Sequence, residues 1–288
     1  MKPVFDSTIH DILNEKLKDI EKHFDADALF YYGAIFNGLE NHFKELIEEL
    51  REDTTKKDRL CIILNTSGGS VETVELLVRI IRFHYKEVFF IIPSAAYSAG
   101  TIFCMSGDKI FMDYSSSLGP IDPQVCNDKG VWVPALGYLD KVTELIEKSK
   151  NSTLSPAEML LLRDQDLAML RRYEQARDLS VDLLKSFLVD YKFKSWESHC
   201  SSGNKVTEKE KQDRAVEIAK QLGDNKIWHA HSRPIGIKCL VNTLRLKIDD
   251  YSNEDALRLL IRGYHDLICQ YIVRNRQGQN FIHTRKFI

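Results

Sequence analysis

A serine in a turn of small residues is the first candidate for chemistry in this sequence. Residues 88–92 form an unbroken apolar run, Pro93 ends it, and Ser98 follows within SAAYSAGT. The run predicts a strand buried on both faces, and the apolar residues after Gly100 predict a buried helix. A strand–turn–helix unit presents a serine hydroxyl beside the free N–H groups of the helix N-terminus. Ser98 is therefore a candidate nucleophile, and the alternative is a small-residue turn packed beneath a sheet edge.

A pair of glycines is the second candidate feature. Gly68 and Gly69 follow the apolar run 60–64 within NTSGGSV and precede a helical pattern over 71–81. Consecutive glycines let neighbouring N–H groups point at one spot, and the helix dipole adds positive potential there. The segment lacks the Gly-Lys-Ser/Thr of a Walker loop and the spacing of a dinucleotide fingerprint. Two interpretations remain, an ordinary glycine turn and an oxyanion hole.

The elements that would position these residues alternate between strand and helix. Apolar runs at 28–35, 60–64 and 88–92 predict buried strands, and the segments 39–50 and 71–81 predict the helices between them. This order favours a parallel α/β sheet with right-handed crossovers. A short strand over 109–112 and the turn-rich segment SSSLGPIDPQ come next.

Helical patterns flank this α/β region on both sides. Capping boxes that begin at Ser155 and Thr207 predict helices, the first of them with an apolar pattern that continues to about Tyr191. The segment 244–248 is a candidate edge strand. The predicted organisation is an N-terminal helix over 1–23, a domain over 24–250 that contains the helical segment 153–223, and a C-terminal helix with a basic tail over 251–288.

Composition limits the class of protein. The chain has 288 residues, of which 43% are hydrophobic and 28% charged, and its net charge is −2. These values are typical of a soluble globular protein and argue against nucleic acid or an anionic membrane as a partner. The six cysteines include no C-x-x-C pair, so we expect neither a zinc site nor a disulfide framework. With no apolar signal core at the N-terminus, the predicted location is cytoplasmic.

The three motifs in their order resemble one known superfamily. NTSGGSV, SAAYSAGT and SLGPIDPQ together are similar to the Clp protease/crotonase superfamily, and most similar to the serine dehydrogenase proteinases, relatives of signal peptide peptidase A. The resemblance covers roughly residues 28–150, with a weaker similarity at 226–248. It implies a spiral α/β fold of parallel strands and helices with helical extensions. It also implies serine peptidase activity without a cofactor, with Ser98 as nucleophile and Gly68, Gly69 and Ala99 in the oxyanion hole.

The serine requires a base, because a hydroxyl is a poor nucleophile at its free pKa. Clp proteases have a histidine where this chain has Asp122, whereas the signal peptide peptidase relatives use a lysine further along the chain. Lys141 follows Ser98 by 43 residues, and burial beside Leu139 would favour the neutral, basic amine. The expected site is therefore a Ser98–Lys141 dyad. His231 competes as the base, because its segment resembles a Trp–His segment of the same family and lies near the third triad member of Clp proteases.

The motifs and the resemblance lead to one main prediction of function and two alternatives. The main prediction is a serine peptidase that acts on polypeptides, forms a homo-oligomer and works alone or with an unfoldase or adaptor. A crotonase-like acyl-CoA enzyme would use the same oxyanion hole without a nucleophile. A non-catalytic oligomeric scaffold would use the fold only for assembly. A metal site at His229 and His231 is not expected, because no third ligand is apparent.

Overall fold

The computed structural model describes residues 4–52, 57–126, 132–199, 203–275 and 280–288. The strands are β1 (Asp27–Tyr32), β2 (Arg59–Asn65), β3 (Glu87–Ile92), β4 (Ala95–Ala96), β5 (Lys109–Met112), β6 (Ser117–Leu118), β7 (Gln124–Cys126), β8 (Trp132–Pro134), β9 (Asp249–Asp250) and β10 (Phe281–Thr284). The helices are α1 (Val4–Phe24), α2 (Leu39–Arg51), α3 (Val71–His84), α4 (Ala99–Met105), α5 (Ala135–Lys150), α6 (Pro156–Arg163), α7 (Leu167–Phe187), α8 (Glu208–Gly223), α9 (Asn225–Trp228), α10 (Ile237–Asn242) and α11 (Asp255–Arg274). A π-helical turn, Leu188–Lys192, continues α7.

The main sheet has the order β10-β1-β2-β3-β5-β9. Strands β1, β2, β3, β5 and β9 run parallel, and β10 pairs antiparallel with β1 at one edge. The predicted alternation of strands and helices is confirmed for this central part. Parallel strands need crossover connections, and α2, α3 and α4 supply three of them.

Both faces of the sheet are buried, which explains the continuous apolar runs. Alternate residues of β2 point to opposite faces, so Ile62 packs with α2, α3 and α4, while Ile63 packs with α1 and α11. Every residue from Leu60 to Leu64 is inaccessible to solvent. The ends of the parallel strands are therefore fixed by packing from two sides, and the loops that follow them start from rigid positions.

The helical segment is more interrupted than the sequence pattern predicts. The apolar pattern between Ser155 and about Tyr191 predicts one long helix, but α6 ends at Arg163 and Asp166 caps the start of α7 by accepting hydrogen bonds from backbone N–H groups. Both predicted capping boxes are present, at Ser155 and Thr207. The break arises because an aspartate competes well as an N-cap within the pattern, where helical periodicity alone does not reveal it.

The C-terminal segment is part of the sheet and carries a partly buried basic residue. Arg285 donates to Glu21 at 2.5 Å and to Asp27 at 2.8 Å, and Asp27 also accepts a hydrogen bond from the Tyr85 hydroxyl at 2.7 Å. These contacts join α1, β1 and the chain end. The predicted edge strand over 244–248 lies instead at Asp249–Asp250, where β9 pairs with β5.

Two properties of the described ranges bear on function classes. None of their helices combines the length and the apolar character that crossing a membrane requires. Their His, Cys, Asp and Glu side chains form no group of three that could hold a metal ion.

Acid pH is expected to destabilise the protein through His283 on β10. Its ring is fully buried, with the Tyr264 hydroxyl donating to Nδ1 at 2.7 Å and Nε2 donating to Asn14 at 3.0 Å. Burial, with a smaller effect of nearby His10, lowers the pKa of His283 to about 3. Between pH 6.5 and 3 the unfolded chain therefore binds a proton that the folded chain does not. The free energy of unfolding should fall, as pH drops through this window, by about 1.4 kcal/mol per pH unit.

Urea unfolding of wild type and His283→Gln between pH 7 and pH 4 measures this contribution. The variant is expected to be less stable at pH 7 and to lose less stability on acidification, because glutamine does not titrate. Parallel pH curves for the two proteins would show that His283 does not supply the acid sensitivity.

Candidate active site

A small second layer of strands lies beyond the carboxyl end of the main sheet. Strand β4 pairs in parallel with β6, so that Ala96 lies opposite Leu118. Thr66 bridges to Ala96 on one side, and Leu118 bridges antiparallel to Ile235 on the other. This layer brings together the segments after β2 and β3, the SLGPIDPQ segment and a segment from near residue 231.

Ser98 occupies a strained turn between β4 and α4. Its φ is +54° and its ψ is −119°, a conformation that side-chain-bearing residues rarely adopt and that costs about 1–3 kcal/mol. It stands at the N-cap position of α4, where a serine hydroxyl normally accepts a helix N–H, yet it makes no such hydrogen bond. The side chain is partly exposed. The Ser98 hydroxyl is therefore available for chemistry.

The glycine pair lies directly against this serine. A Cβ on Gly68 would come within 2.6 Å of the Tyr97 carbonyl oxygen and 2.8 Å of the Ser98 Cβ. Gly68 has a φ of +99° and Gly69 a φ of +144°, so both positions favour glycine. The resemblance implied that these glycines lie close to Ser98, and this proximity is present.

The N–H groups around Ser98 are not equivalent. The Gly68 N–H donates to the Thr66 hydroxyl at 3.0 Å, so it is already engaged, contrary to its expected role as an oxyanion donor. Among the described residues, neither the Gly69 nor the Ala99 N–H donates a hydrogen bond. These two N–H groups remain for a ligand oxygen.

Thr101 fixes the serine turn to the neighbouring strand. Its hydroxyl lies 2.9 Å from the carbonyl oxygens of Ala96 and Gly119 and accepts the Gly119 N–H at 3.0 Å. The side chain is fully buried. Because one hydroxyl contacts both β4 and the residue after β6, the position of Ser98 relative to the SLGPIDPQ segment is well defined.

Asp122 and His231 form a hydrogen-bonded pair that follows the Leu118–Ile235 bridge of the small layer of strands. The His231 Nδ1 lies 2.9 Å from the Asp122 Oδ1, and the side chains are 19% and 4% exposed, respectively. A carboxylate accepts, so Nδ1–H donates and Nε2 is left with the lone pair. The pairing follows from the register, because Asp122 lies four residues after Leu118 and His231 four before Ile235. Ser98 follows Ala96 by two residues. Because β4 and β6 are parallel, Ser98 lies beyond the same end of this small layer as Asp122.

Lys141 lies in a different environment from the one expected. It is on α5, its side chain is 56% exposed, and its ammonium forms an ion pair with Glu144 at 3.0 Å. The expectation of a partly desolvated amine is therefore wrong for this structure. Its helical neighbours Leu139 and Val142 are only partly buried themselves. Apolar residues on either side of Lys141 therefore do not bury its side chain.

The His-x-His pair is split between two environments. His229 is exposed in a left-handed conformation with a φ of +64°, at the end of α9, whereas His231 turns towards Asp122. The two rings therefore do not share one face of a strand.

Comparison with known families identifies the kind of protein. The family model of ClpP-like SDH-type serine proteinases matches residues 35–223, more than half of the chain. The chain belongs to this family. The resemblance stated from the three motifs and the expected ClpP-like α/β fold with a mainly parallel sheet are thereby confirmed.

Two curated relatives come from Methanocaldococcus jannaschii. The chain is 34% identical to the uncharacterized protein MJ0137 over 83 residues, which are 28% of each protein. It is 28% identical to the uncharacterized protein MJ1495 over 142 residues, 49% of this chain and 44% of that protein. The similarity therefore spans less than half of the length of either relative.

Solved structures of proteases show distant similarity. Two are mutants of 1510-N, a membrane-bound stomatin-specific protease. The lysine-to-alanine mutant, in complex with a substrate peptide, is 15% identical with a TM-score of 0.44 and covers 77% of this chain and 72% of that chain. The serine-to-alanine mutant is 13% identical with a TM-score of 0.46, covering 80% and 81%. A ClpP1 mutant from Listeria monocytogenes is 17% identical with a TM-score of 0.34, covering 57% and 75%.

Proposed function

We propose that this protein is a serine peptidase in which Ser98 is the nucleophile, His231 the general base and Asp122 the residue that orients His231. The observation that carries the proposal is the partly buried Asp122–His231 hydrogen bond at the end of the layer where Ser98 has its strained turn. A peptidase needs an activated hydroxyl, a base in the correct tautomer and donors for an oxyanion. All three are supported by separate features of the site.

The proton path follows from the tautomer. Asp122 holds the proton on Nδ1, so Nε2 accepts the proton of the Ser98 hydroxyl while its oxygen attacks the peptide carbonyl. The imidazolium that forms is stabilised by the Asp122 carboxylate and then protonates the leaving amine. In the second half of the reaction His231 takes a proton from water as the water oxygen attacks the acyl carbonyl, and it returns that proton to the Ser98 oxygen as the acyl–oxygen bond breaks.

The developing oxyanion would be bound by main-chain donors. The N–H groups of Gly69 and Ala99 are the proposed donors, because the Gly68 N–H is engaged by Thr66. Gly68 keeps a role through its shape, since only a residue without a Cβ fits against Tyr97 and Ser98. The α4 N-terminus adds favourable potential at the same place.

The substrate class, location, assembly and partners are proposed from the sequence. We propose a polypeptide substrate, a cytoplasmic location and assembly into a homo-oligomer, with an unfoldase or adaptor as an optional partner. The match to the serine proteinase family supports the polypeptide substrate.

Labelling by a fluorophosphonate probe is the experiment that tests the proposal. The wild-type protein is expected to be labelled at Ser98, as located by mass spectrometry, and to hydrolyse a peptide library. Ser98→Ala should lose both properties, with Ser94→Ala, in the loop just before β4, as the matched control that retains them.

Three outcomes would overturn the assignment. Labelling that survives Ser98→Ala would place the nucleophile elsewhere. Thermal stabilisation by acyl-CoA together with an activity that persists in Ser98→Ala would favour the crotonase-like enzyme. Failure of the native assembly to be labelled or to cleave peptides would favour the non-catalytic scaffold.

A further inference from the structure

One buried threonine lies between the glycine loop and the serine turn. Thr66 is the first residue after β2 and is only 3% exposed. Its main chain is bound to β4 and the residue that follows it, because the Thr66 N–H donates to the Ala95 carbonyl oxygen at 2.9 Å and the Thr66 carbonyl oxygen accepts the Tyr97 N–H at 3.0 Å. The backbone of Thr66 is therefore fixed relative to the turn that carries Ser98.

The hydroxyl branch of Thr66 contacts the glycine loop. Its Oγ1 accepts the Gly68 N–H at 3.0 Å, and the next N–H along the chain is that of Gly69, a proposed oxyanion donor. A threonine hydroxyl that accepts an N–H two residues later is also a common local turn. This hydrogen bond alone therefore does not distinguish a role in the site from a role in the loop.

The methyl branch of Thr66 contacts a different element, the first turn of α4. Its Cγ2 lies 2.4 Å from the position that a Cβ on Gly100 would take. The next nearest atom from another part of the described chain, the Ala96 Cβ, is at 3.5 Å, an ordinary contact distance. Gly100 directly follows Ala99, whose N–H is the other proposed donor. The methyl group therefore fills the space beside a helix residue that has no side chain of its own.

We propose that Thr66 is a positioning residue that sets the separation between the two oxyanion donors, the N–H groups of Gly69 and Ala99. The inference rests on the proposed peptidase function and adds the side chain that holds the oxyanion hole in shape. Each branch contacts the residue next to one donor, the hydroxyl at Gly68 and the methyl at Gly100. Because the oxyanion develops only in the transition state, a change in this separation lowers kcat more than it raises KM.

Thr66→Val tests the hydroxyl branch. Valine keeps a methyl group at the same place and removes the oxygen that accepts the Gly68 N–H. For a fluorogenic peptide, kcat is expected to fall about 10-fold while KM changes less than about twofold. The rate of fluorophosphonate labelling at Ser98 should fall with kcat, because the adduct oxygen needs the same donors.

Thr284→Val is the matched control for this change. Thr284 is fully buried, and its hydroxyl likewise accepts an N–H two residues later, that of Lys286, at 3.2 Å. It lies opposite Leu29 in the first half of β1, whereas Ser98 lies beyond the carboxyl end of the sheet. This variant should keep both kcat and the labelling rate within about twofold of wild type.

A pair of size changes tests the methyl branch. Gly100→Ala places a Cβ 2.4 Å from the Thr66 methyl carbon, so α4 or the glycine loop must shift, and kcat is expected to fall about 100-fold. Thr66→Ser keeps the hydroxyl and removes that methyl group. The double variant Thr66→Ser/Gly100→Ala should therefore regain at least about 10-fold in kcat over Gly100→Ala. Far-UV circular dichroism and urea unfolding monitor folding in every variant.

Labelling and cleavage by wild type separate this inference from the function on which it rests. In a wild type that is labelled and active, the role of Thr66 is overturned if Thr66→Val behaves like Thr284→Val or if Gly100→Ala keeps the wild-type kcat. A double variant that recovers stability but not kcat overturns it too, because Thr66 would then serve folding alone. Absence of labelling and of cleavage in wild type overturns the peptidase proposal itself.

Discussion

Replacing His231 by alanine is expected to lower kcat/KM for peptide hydrolysis about 10³–10⁴-fold. The physical reason is that, in the proposed mechanism, His231 takes the proton of the Ser98 hydroxyl while Asp122 holds the imidazole in the required tautomer. Asp122→Asn should cause a loss of similar order, because an amide can donate to Nδ1 and move the imidazole proton to Nε2. Initial rates on a fluorogenic peptide, with fluorophosphonate labelling as a second readout, measure both effects.

The variant Lys141→Ala distinguishes between His231 and Lys141 as the general base. The lysine is exposed and paired with Glu144, so its removal should change kcat/KM less than about twofold and leave stability nearly unchanged, as is usual for exposed ion pairs. Far-UV circular dichroism and urea unfolding control for folding in all three variants. The base would have to be reassigned to Lys141 if Lys141→Ala were inactive while His231→Ala kept wild-type rates.

The parts of the site that follow one another along the sheet were predictable from the sequence. Parallel strands end at the same edge, so the loop after β2, with Gly68 and Gly69, had to lie near the loop after β3, with Ser98. The three apolar runs define those strands because both sheet faces are buried. The order of the motifs along the chain therefore predicted which loops are neighbours at the edge of the sheet.

The Asp122–His231 pair was not predictable in this way. The two residues are 109 positions apart, and the helical segment between them gives no periodic signal for where the chain returns. What brings them together is one antiparallel bridge, Leu118 to Ile235, between segments that are too short to read as strands. The sequence indicated that both residues lie near the site, but not that they form a hydrogen bond.

Lys141 shows the limit of local patterns for a base. Burial of a lysine depends on which face of α5 packs against the protein, and only Ala135 and Leu145 of that helix are buried. A helix with so little buried surface does not desolvate a residue merely because its sequence neighbours are apolar. The Ser98–Lys141 dyad rested on that assumption and on the resemblance, and the structure removes the first support.

Gly68→Ala is expected to lose more than about 100-fold in kcat/KM and to destabilise the fold by about 3 kcal/mol. A methyl group would lie 2.6 Å from the Tyr97 carbonyl oxygen and 2.8 Å from the Ser98 Cβ, so the serine turn would have to shift. A displacement of about 1 Å of a reacting group is enough to cost about 100-fold. The positive φ of +99° adds about 1–2 kcal/mol for any residue with a Cβ.

The variant Gly38→Ala separates the effect of a steric clash at Ser98 from the energetic cost of a positive φ. Gly38 has a nearly equal φ of +102°, but nothing lies within 4 Å of the position where its Cβ would be. This variant should therefore lose about 1–2 kcal/mol in urea unfolding and keep its kcat/KM within about twofold. If Gly68→Ala behaved like Gly38→Ala in both measurements, the glycine pair would not set the geometry at Ser98. Loss of activity in Gly68→Ala at a protein concentration and temperature where it stays folded would instead tie that geometry to catalysis.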